Sequence, residues 1–568
     1  MYIDVVPNRN SRPAYLLRES YRDGKKVKKH TIANLSALSE QQISDFRAIL
    51  SGRALTPIDS LFTIENSRAH GHVDTVNVAM SKLKIPALLS TQSCRERDLV
   101  CAMIAARIIA PHTKLATTRW WHTTTLAEDF SVAEATEDDL CAAMDWLLVR
   151  QGHIEKKLAA RHLAADSLVL YDLSSSYFEG STCPLARRGY NRDGKKGKLQ
   201  VNYGLLTDGR GCPVAVSVYA GNTADPQTLM PQVERLRHDF GIAQVVLVGD
   251  RGMISQKAID GLREHEGIGW ITALKSGAIG ALVTQGHMQL GLFDERNLFE
   301  FTHPDYPGER LVACRNPELA ALRAHKREDL LQATEKNLEK VRAMVQSGRL
   351  RGQDKIGVRV GKVINQYKVA KHFTLDIQDK AFSFTRQAEQ IAAEAALDGL
   401  YVIRTSLPAE RMDSADCVRH YKSLAQVERA FRTLKSVDLR IRPIHHRLET
   451  RVRAHIFLCM LAYYVEWHMR EAWRELLFSD TDQAAKARRD PVAPARRSAV
   501  AQRKASTRTL EDGTPAHSFT TLMEELSTIV RNTCRTPHTG PDGFTFAVVT
   551  TANPKQRRAL ELIQKIQM

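Results

Sequence analysis

Between about residues 70 and 165, apolar positions recur at helical spacing, as in LVCAMIAARIIA and DDLCAAMDWLLV, with Pro111 as a breaker. This predicts a helical bundle over 61–165. From 166 the pattern shortens into strands. SLVLYDL ends near Asp172, and LQVNYGLLT and CPVAVSVYAG form a hairpin through Asp208-Gly209-Arg210-Gly211. A helical stretch runs from Pro226 to Phe240, and AQVVLVGD is an apolar run ending at Asp250. A helix from about Ser255 and the strand GIGWITALK follow. Unbroken apolar runs of this length predict strands buried on both faces.

The resulting order over 166–275, three strands, a helix, a strand, a helix and a strand, predicts an α/β fold with a ribonuclease-H-like mixed sheet. In that arrangement the first and fourth strands are neighbours, which brings Asp172 and Asp250 together. Residues 276–397 interrupt the core with strands and a charged helix. An inserted domain is expected there, because a structureless excursion of that length is improbable. LYVIRTS resumes the core over 398–478, which also holds a predicted helix from Asp413 to Val437 and a long helix from Glu449 to about Glu475. Residues 1–60 read as a β-rich arm with a turn at Asp23-Gly24 and a helix from Ser39. The Ala, Arg and Pro content of 479–517 predicts a flexible basic linker. A small C-terminal unit is expected over 518–568.

Composition narrows the class. A chain of 568 residues is too long for one core, and 81 Lys and Arg against 64 Asp and Glu leave a formal charge of +17. Such a balance suits a polyanion such as nucleic acid. Between Lys486 and Arg508 eight bases face one acid. A second basic cluster, Arg187, Arg188, Arg192, Lys195, Lys196 and Lys198, comes shortly after Asp172. In HTKLATTRWWH, Lys114, Arg119, Trp120 and Trp121 suit phosphate contact and base stacking, or burial of the tryptophans in the bundle. Nine cysteines without a CxxC pair indicate reduced thiols, and Cys417 and His420 form a CxxH with no second pair nearby. The first residues lack the apolar core of a secretory leader, and the longest apolar run, IFLCMLAYYV, is too short to span a bilayer. A cytoplasmic protein that does not enter the membrane is the expectation.

The candidate chemistry is carried by three carboxylates. Asp172 and Asp250 are expected at strand ends, and Glu428 mid-helix in HYKSLAQVERAFRTLKSV. In that helix Tyr421, Glu428 and Lys435 recur every seven residues and so share one face. Oxygen ligands of this kind suit Mg²⁺, or Mn²⁺, and two ions per site support phosphodiester cleavage. On this reading Asp172 serves both ions, Asp250 one and Glu428 the other. Tyr421 and Lys435 are placed for flanking phosphates, as is Arg251. Each has a structural alternative: a turn or cap for the aspartates, a solvated face for Glu428, snorkelling for Lys435. Asp193, Asp208 and Asp225 are rival acids, for which turns and a helix start give sufficient reason.

The residues YDLSSSYFEG, GNTADPQTL, LVGDRGM, YKSLAQVERAFRTLK and RVRAHIFLCMLAYY together resemble the bacterial insertion-sequence transposases with a DDE active site and a Y-x2-R-x3-E-x6-K signature, over about 166–473. Tyr421, Glu428 and Lys435 match the signature, whereas Leu424 stands where its arginine falls. Arg429 and Arg432 are the nearby substitutes. The resemblance implies Mg²⁺-dependent transposition by a bacterial, nucleoid-associated enzyme. The implied partners are double-stranded DNA, as terminal inverted repeats and target, and a second copy of the chain in the DNA-bound dimer. Asp172, Asp250 and Glu428 would be catalytic metal ligands, and Tyr421, Lys435, Arg251, Lys195, Lys196, Lys198, Arg119 and Trp120 DNA contacts. A metal-dependent nuclease without strand transfer and a non-catalytic DNA-binding derivative are the alternative functions. The absence of a GxxxxGK[ST] loop agrees with chemistry that needs no ATP.

Overall fold

The computed structural model describes residues 1–9, 11–53, 61–288, 292–536 and 544–567. The chain forms two compact units, residues 1–68 with 529–551, and residues 69–528 with 552–568.

In the first unit the strands Tyr2–Val6, Ala14–Asp23 and Lys26–Asn34 form an antiparallel sheet in that order. The second hairpin turns at Gly24, whose φ of +62° is a left-handed conformation that glycine adopts without strain. The helix Glu40–Leu50 starts at Ser39, which with Gln42 closes a capping box. A second sheet takes the order Thr545–Val549, Val530–Arg535, Thr63–Ala69. The domain boundary expected at residue 60 falls outside the described residues.

The second unit is built on one eight-stranded sheet. Its strands are β1 (Ser167–Tyr177), β2 (Gln200–Asp208), β3 (Pro213–Ala220), β4 (Val245–Val248), β5 (Ile268–Ala273), β6 (Leu298–Phe301), β7 (Arg310–Arg315) and β8 (Leu400–Thr405). They lie in the order β6-β7-β8-β5-β4-β1-β2-β3. β1 pairs antiparallel with β2 and parallel with β4, and β4 pairs parallel with β5. This is the ribonuclease-H-like order expected from the sequence. The register sets Leu168 against Val246 and Leu170 against Val248. Two residues further along each chain come Asp172 and Asp250.

Nine helices of this unit matter below: α1 (Gly71–Lys82), α2 (Arg95–Ile109), α3 (Glu137–Val149), α4 (Gln151–His162), α5 (Pro317–Gln346), α6 (Gln353–Ile364), α7 (Ser414–Lys422), α8 (Leu424–Arg432) and α9 (Glu449–Ala472). α9 packs on α1, α2 and α3 and also on β3. Residues 456–465 of α9 are all buried, as an all-round apolar helix requires. The bundle expected over 61–165 starts only at α1, because Thr63–Ala69 forms a strand, and it is completed by a helix nearly three hundred residues beyond its expected end.

Three expected boundaries change. Residues 276–397 are not one separate body, because β6 and β7 extend the main sheet through pairing of β7 with β8 from Arg310↔Thr405 to Arg315↔Leu400. The self-contained part is smaller: α5, α6 and the hairpin strands Phe373–Ile377 and Phe382–Arg386 share a core of Leu331, Leu338, Ile356, Val360, Phe373 and Phe382. The expected flexible linker of 479–517 is folded, with helices Gln483–Arg488 and Ala499–Thr507. Two of its bases find partners, Arg489 on nearby Asp480 and Arg496 on Glu318 of α5. Buried Lys504 donates to the carbonyls of Arg474, Glu475, Leu477 and Ser479; the side chain of Lys486 lies outside the described residues. Nor do residues 518–568 stand alone. Their strands belong to the first unit, while helices Phe519–Ser527 and Pro554–Gln564 pack on α1.

Candidate active site

Asp172 lies within β1 rather than at its end. The strand keeps its antiparallel pairing with β2 as far as Tyr177↔Gln200, but the parallel ladder to β4 stops at Leu170↔Val248. The aspartate thus occupies the point where β1 loses one neighbour, and the gap opens toward Asp250. Asp250 follows β4 in a turn whose amides hold it: Gly252 N and Met253 N both donate to Asp250 Oδ1, at 3.0 and 2.7 Å.

The third acid comes from α8. Val427, Ala430 and Phe431 bury one side of this helix, and Glu428, Arg429 and Arg432 are exposed on the other. Phe431 meets Tyr203 of β2 edge to face, with ring centroids 5.7 Å apart, which seats α8 on the sheet near β1. The helix expected from Asp413 to Val437 is segmented. α7 begins at the cap Asp413 and ends at Lys422, Ser423 Oγ bonds back to the His420 carbonyl, and residues 433–437 form a π-helical turn.

Electrostatics tie the three acids together. Burial first, then the carboxylates of Asp250 and Glu428, push Asp172 up to about 7, against the Leu173 amide and the Arg192 guanidinium. Tyr421, half-buried on α7, is raised to about 12 by burial and then by Asp250 and Glu428, with Arg251 opposing. Tyr421 therefore lies within electrostatic reach of Asp250, Arg251 and Glu428. Mutually repelling carboxylates with oxygen-only donors fit hard divalent cations, whose binding would relieve the repulsion.

Lys435 does not share the face of Glu428. The π-helical turn adds a residue to the helix turn, and Lys435 is buried and donates to Asp193 Oδ1 at 3.0 Å. Arg442 also pairs with Asp193, whose Oδ2 accepts from Tyr177 N at 3.0 Å. Asp193, read from sequence as a turn residue, is a buried counter-ion. Asp225 likewise does more than start a helix: it takes both oxygens to Arg192, the cation that bears on Asp172. Sequence reasoning missed both pairings; the motif GNTADPQTL contained Asp225 but did not reveal its partner.

The remaining candidates are scattered. Lys195, Lys196 and Lys198 are exposed on the loop between β1 and β2, with Lys198 on Glu179 at 2.9 Å. Arg119 is exposed and Trp120 half-buried, while Trp121 is fully buried. Lys114, read as a phosphate contact, is buried, and burial and Arg107 push its ammonium down to about 7. Cys417 is buried in α7. Among the described residues no single helix is long and apolar enough to cross a membrane.

Two family models match the sequence. The transposase DDE domain covers residues 164–465, and the N-terminal domain of IS1634 family transposases covers residues 3–56. No curated protein matches. Among solved structures, a piggyBac transposase synaptic complex with hairpin DNA is similar at 8% identity and a TM-score of 0.34, over 80% of this chain and 77% of that one. That likeness is too loose to carry an argument. The DDE-domain match, by contrast, spans more than half of the chain and contains all three acids, and the chain belongs to the insertion-sequence DDE transposases, DNA-cleaving and strand-transferring enzymes that bind DNA and use divalent metal.

Proposed function

We propose that Asp172, Asp250 and Glu428 are the catalytic acids of this transposase and hold two Mg²⁺ ions, with Mn²⁺ as a substitute. The carrying observation is that the parallel pairing of β1 with β4 brings Asp172 and Asp250 to neighbouring strands, while α8, which carries Glu428, packs on β1. Bound there, the ions would supply activation of the attacking oxygen and charge relief at the leaving oxygen. The chain's own groups then orient the substrate. Arg251, and Arg192 held by Asp225, offer positive charge beside the acids for the phosphates flanking the scissile bond. The Tyr421 hydroxyl, kept protonated by its surroundings, offers a neutral donor. Lys435 acts one step away, as a positioning residue through Asp193 and Arg442. Lys195, Lys196, Lys198, Arg119 and Trp120 are proposed outer DNA contacts.

The reaction proposed is hydrolysis at each end of the element, freeing a 3′-hydroxyl, and transesterification of that hydroxyl into target DNA. The working unit is a homodimer on paired inverted repeats. Incubation of the full-length protein with Mg²⁺, target plasmid and DNA carrying the element's own terminal repeats tests this reading. Joined products are expected. Cleavage without joining would reduce the protein to a nuclease, and a shifted but intact duplex would leave only a binder. Asp172→Asn, Asp250→Asn and Glu428→Gln are each expected to lower cleavage by about a hundredfold or more while end binding stays within about twofold of wild type. A variant that turns over normally removes its residue from the acid set.

A further inference from the structure

Three other ligand-type side chains converge in the second unit. His162 ends α4, Cys212 directly precedes β3, and His468 lies in the last turns of α9. Cys212 Sγ is 3.8 Å from His468 Nε2 and 4.0 Å from His162 Nε2, and the three ligand atoms all lie within 4.8 Å of one another. In a tetrahedral zinc site, bond lengths of about 2.3 Å to sulfur and 2.0 Å to nitrogen set sulfur and nitrogen about 3.5 Å apart. Closing the two sulfur–nitrogen pairs onto an ion therefore takes shifts of a few tenths of an ångström. The cysteine is fully buried and both histidines are partly buried.

The two histidines are in the ligating state, whereas burial and then Asp208 hold the Cys212 thiol well above its ordinary value, so an ion must displace its proton. Burial pushes His162 below its ordinary value and His468 down to about 3, so both imidazoles are neutral and offer lone pairs. The Tyr464 hydroxyl sits 2.9 Å from His162 Nε2, a contact that a bound ion would displace. One thiol and two imidazoles exclude Mg²⁺ as the preferred guest and favour a borderline-soft cation.

We propose that His162, Cys212 and His468 form a second metal site, for Zn²⁺ or a cation of similar softness, with water as the fourth ligand. Binding forms one metal–sulfur and two metal–nitrogen bonds and releases one proton, from the Cys212 thiol, to solvent. The site has a structural task. Cys212 follows the turn at Gly211, where an added Cβ would lie 2.7 Å from Gln426 Cβ on α8, two residues before Glu428. Arg210 in the same turn lies over the ring of Trp467, 5.2 Å from its centroid and next to His468. An ion there fixes to α9 the turn on which the Glu428 helix leans.

The test is titration of metal-free, full-length protein without a histidine tag with Co²⁺, followed by absorption. A thiolate-to-cobalt charge-transfer band in the near ultraviolet is expected at one equivalent, bleached by Zn²⁺. The band persists in Glu428→Gln, because carboxylates do not produce it, and is lost in Cys212→Ser. His468→Gln, at a partly exposed position, weakens binding by more than about tenfold and serves where Cys212→Ser does not fold. Absence of the band in folded wild type, or its survival in Cys212→Ser, overturns the proposal without touching the assignment of the acidic cluster.

Discussion

Asp172 links the stability of the metal-free protein to pH. Its ordinary value is 3.8, and in the fold it is raised to about 7 by burial, Asp250 and Glu428, with Arg192 opposing. Between those values the folded chain holds a proton that the unfolded chain has released. The group's contribution to stability is therefore fully present below about pH 3.8 and is lost as pH rises through about 7. In chelator, Asp172→Asn should raise Tm near pH 8 and leave it nearly unchanged near pH 4. Added Mg²⁺ competes with that proton, so it should stabilise wild type more near pH 8 than near pH 6, and Asp172→Asn little at either. Equal Mg²⁺ shifts at both pH values would place the ion elsewhere. Asp172 and Asp250 were legible because each closes an apolar run. The Arg192–Asp225 and Lys435–Asp193 pairs were not, since ionic partners far apart in sequence follow no periodicity.

The segmented helix shows why a seven-residue spacing is an incomplete guide. Tyr421 and Glu428 straddle a break at Ser423 and still lie within electrostatic reach of each other, whereas the π-helical turn carries Lys435 to Asp193. Such a turn depends on packing, and the residues that form it, Thr433 to Val437, carry no distinctive pattern. Asp193 is nearly inaccessible and balances both Lys435 and Arg442. Asp193→Ala would strand two cations and should cost roughly 3–5 kcal/mol. The expected sign is a lower urea midpoint at unchanged slope. An unchanged midpoint would show that the pairings are dispensable.

Across the whole molecule, the order β3-β2-β1-β4-β5 was readable from the succession of elements, since few topologies fit it. The attachment of β6 and β7 to β8 was not, because edge pairing leaves no trace in strand composition. Nor was the role of α9, whose apolar run fixes burial but not neighbours. The excursion between β7 and β8 leaves the sheet at Asn316 and returns at Gly399, and Asn316 N donates to Gly399 O at 2.9 Å. Gly399 has φ of +74°, and a Cβ there would lie 2.3 Å from the Asn316 carbonyl oxygen, so this approach requires glycine. Replacing residues 317–396 by a short Gly-Ser linker should leave the remaining core folded, with a cooperative melt and the Mg²⁺-dependent rise in Tm retained. Loss of cooperative unfolding would show that α5 and α6 hold up the sheet.

To the sheet, then, everything between Asn316 and Gly399 is a hairpin of negligible span. A body carried on such a junction can change in size or shape over descent while β7 and β8 keep their register, so the outer machinery is free to diversify around a fixed reaction centre.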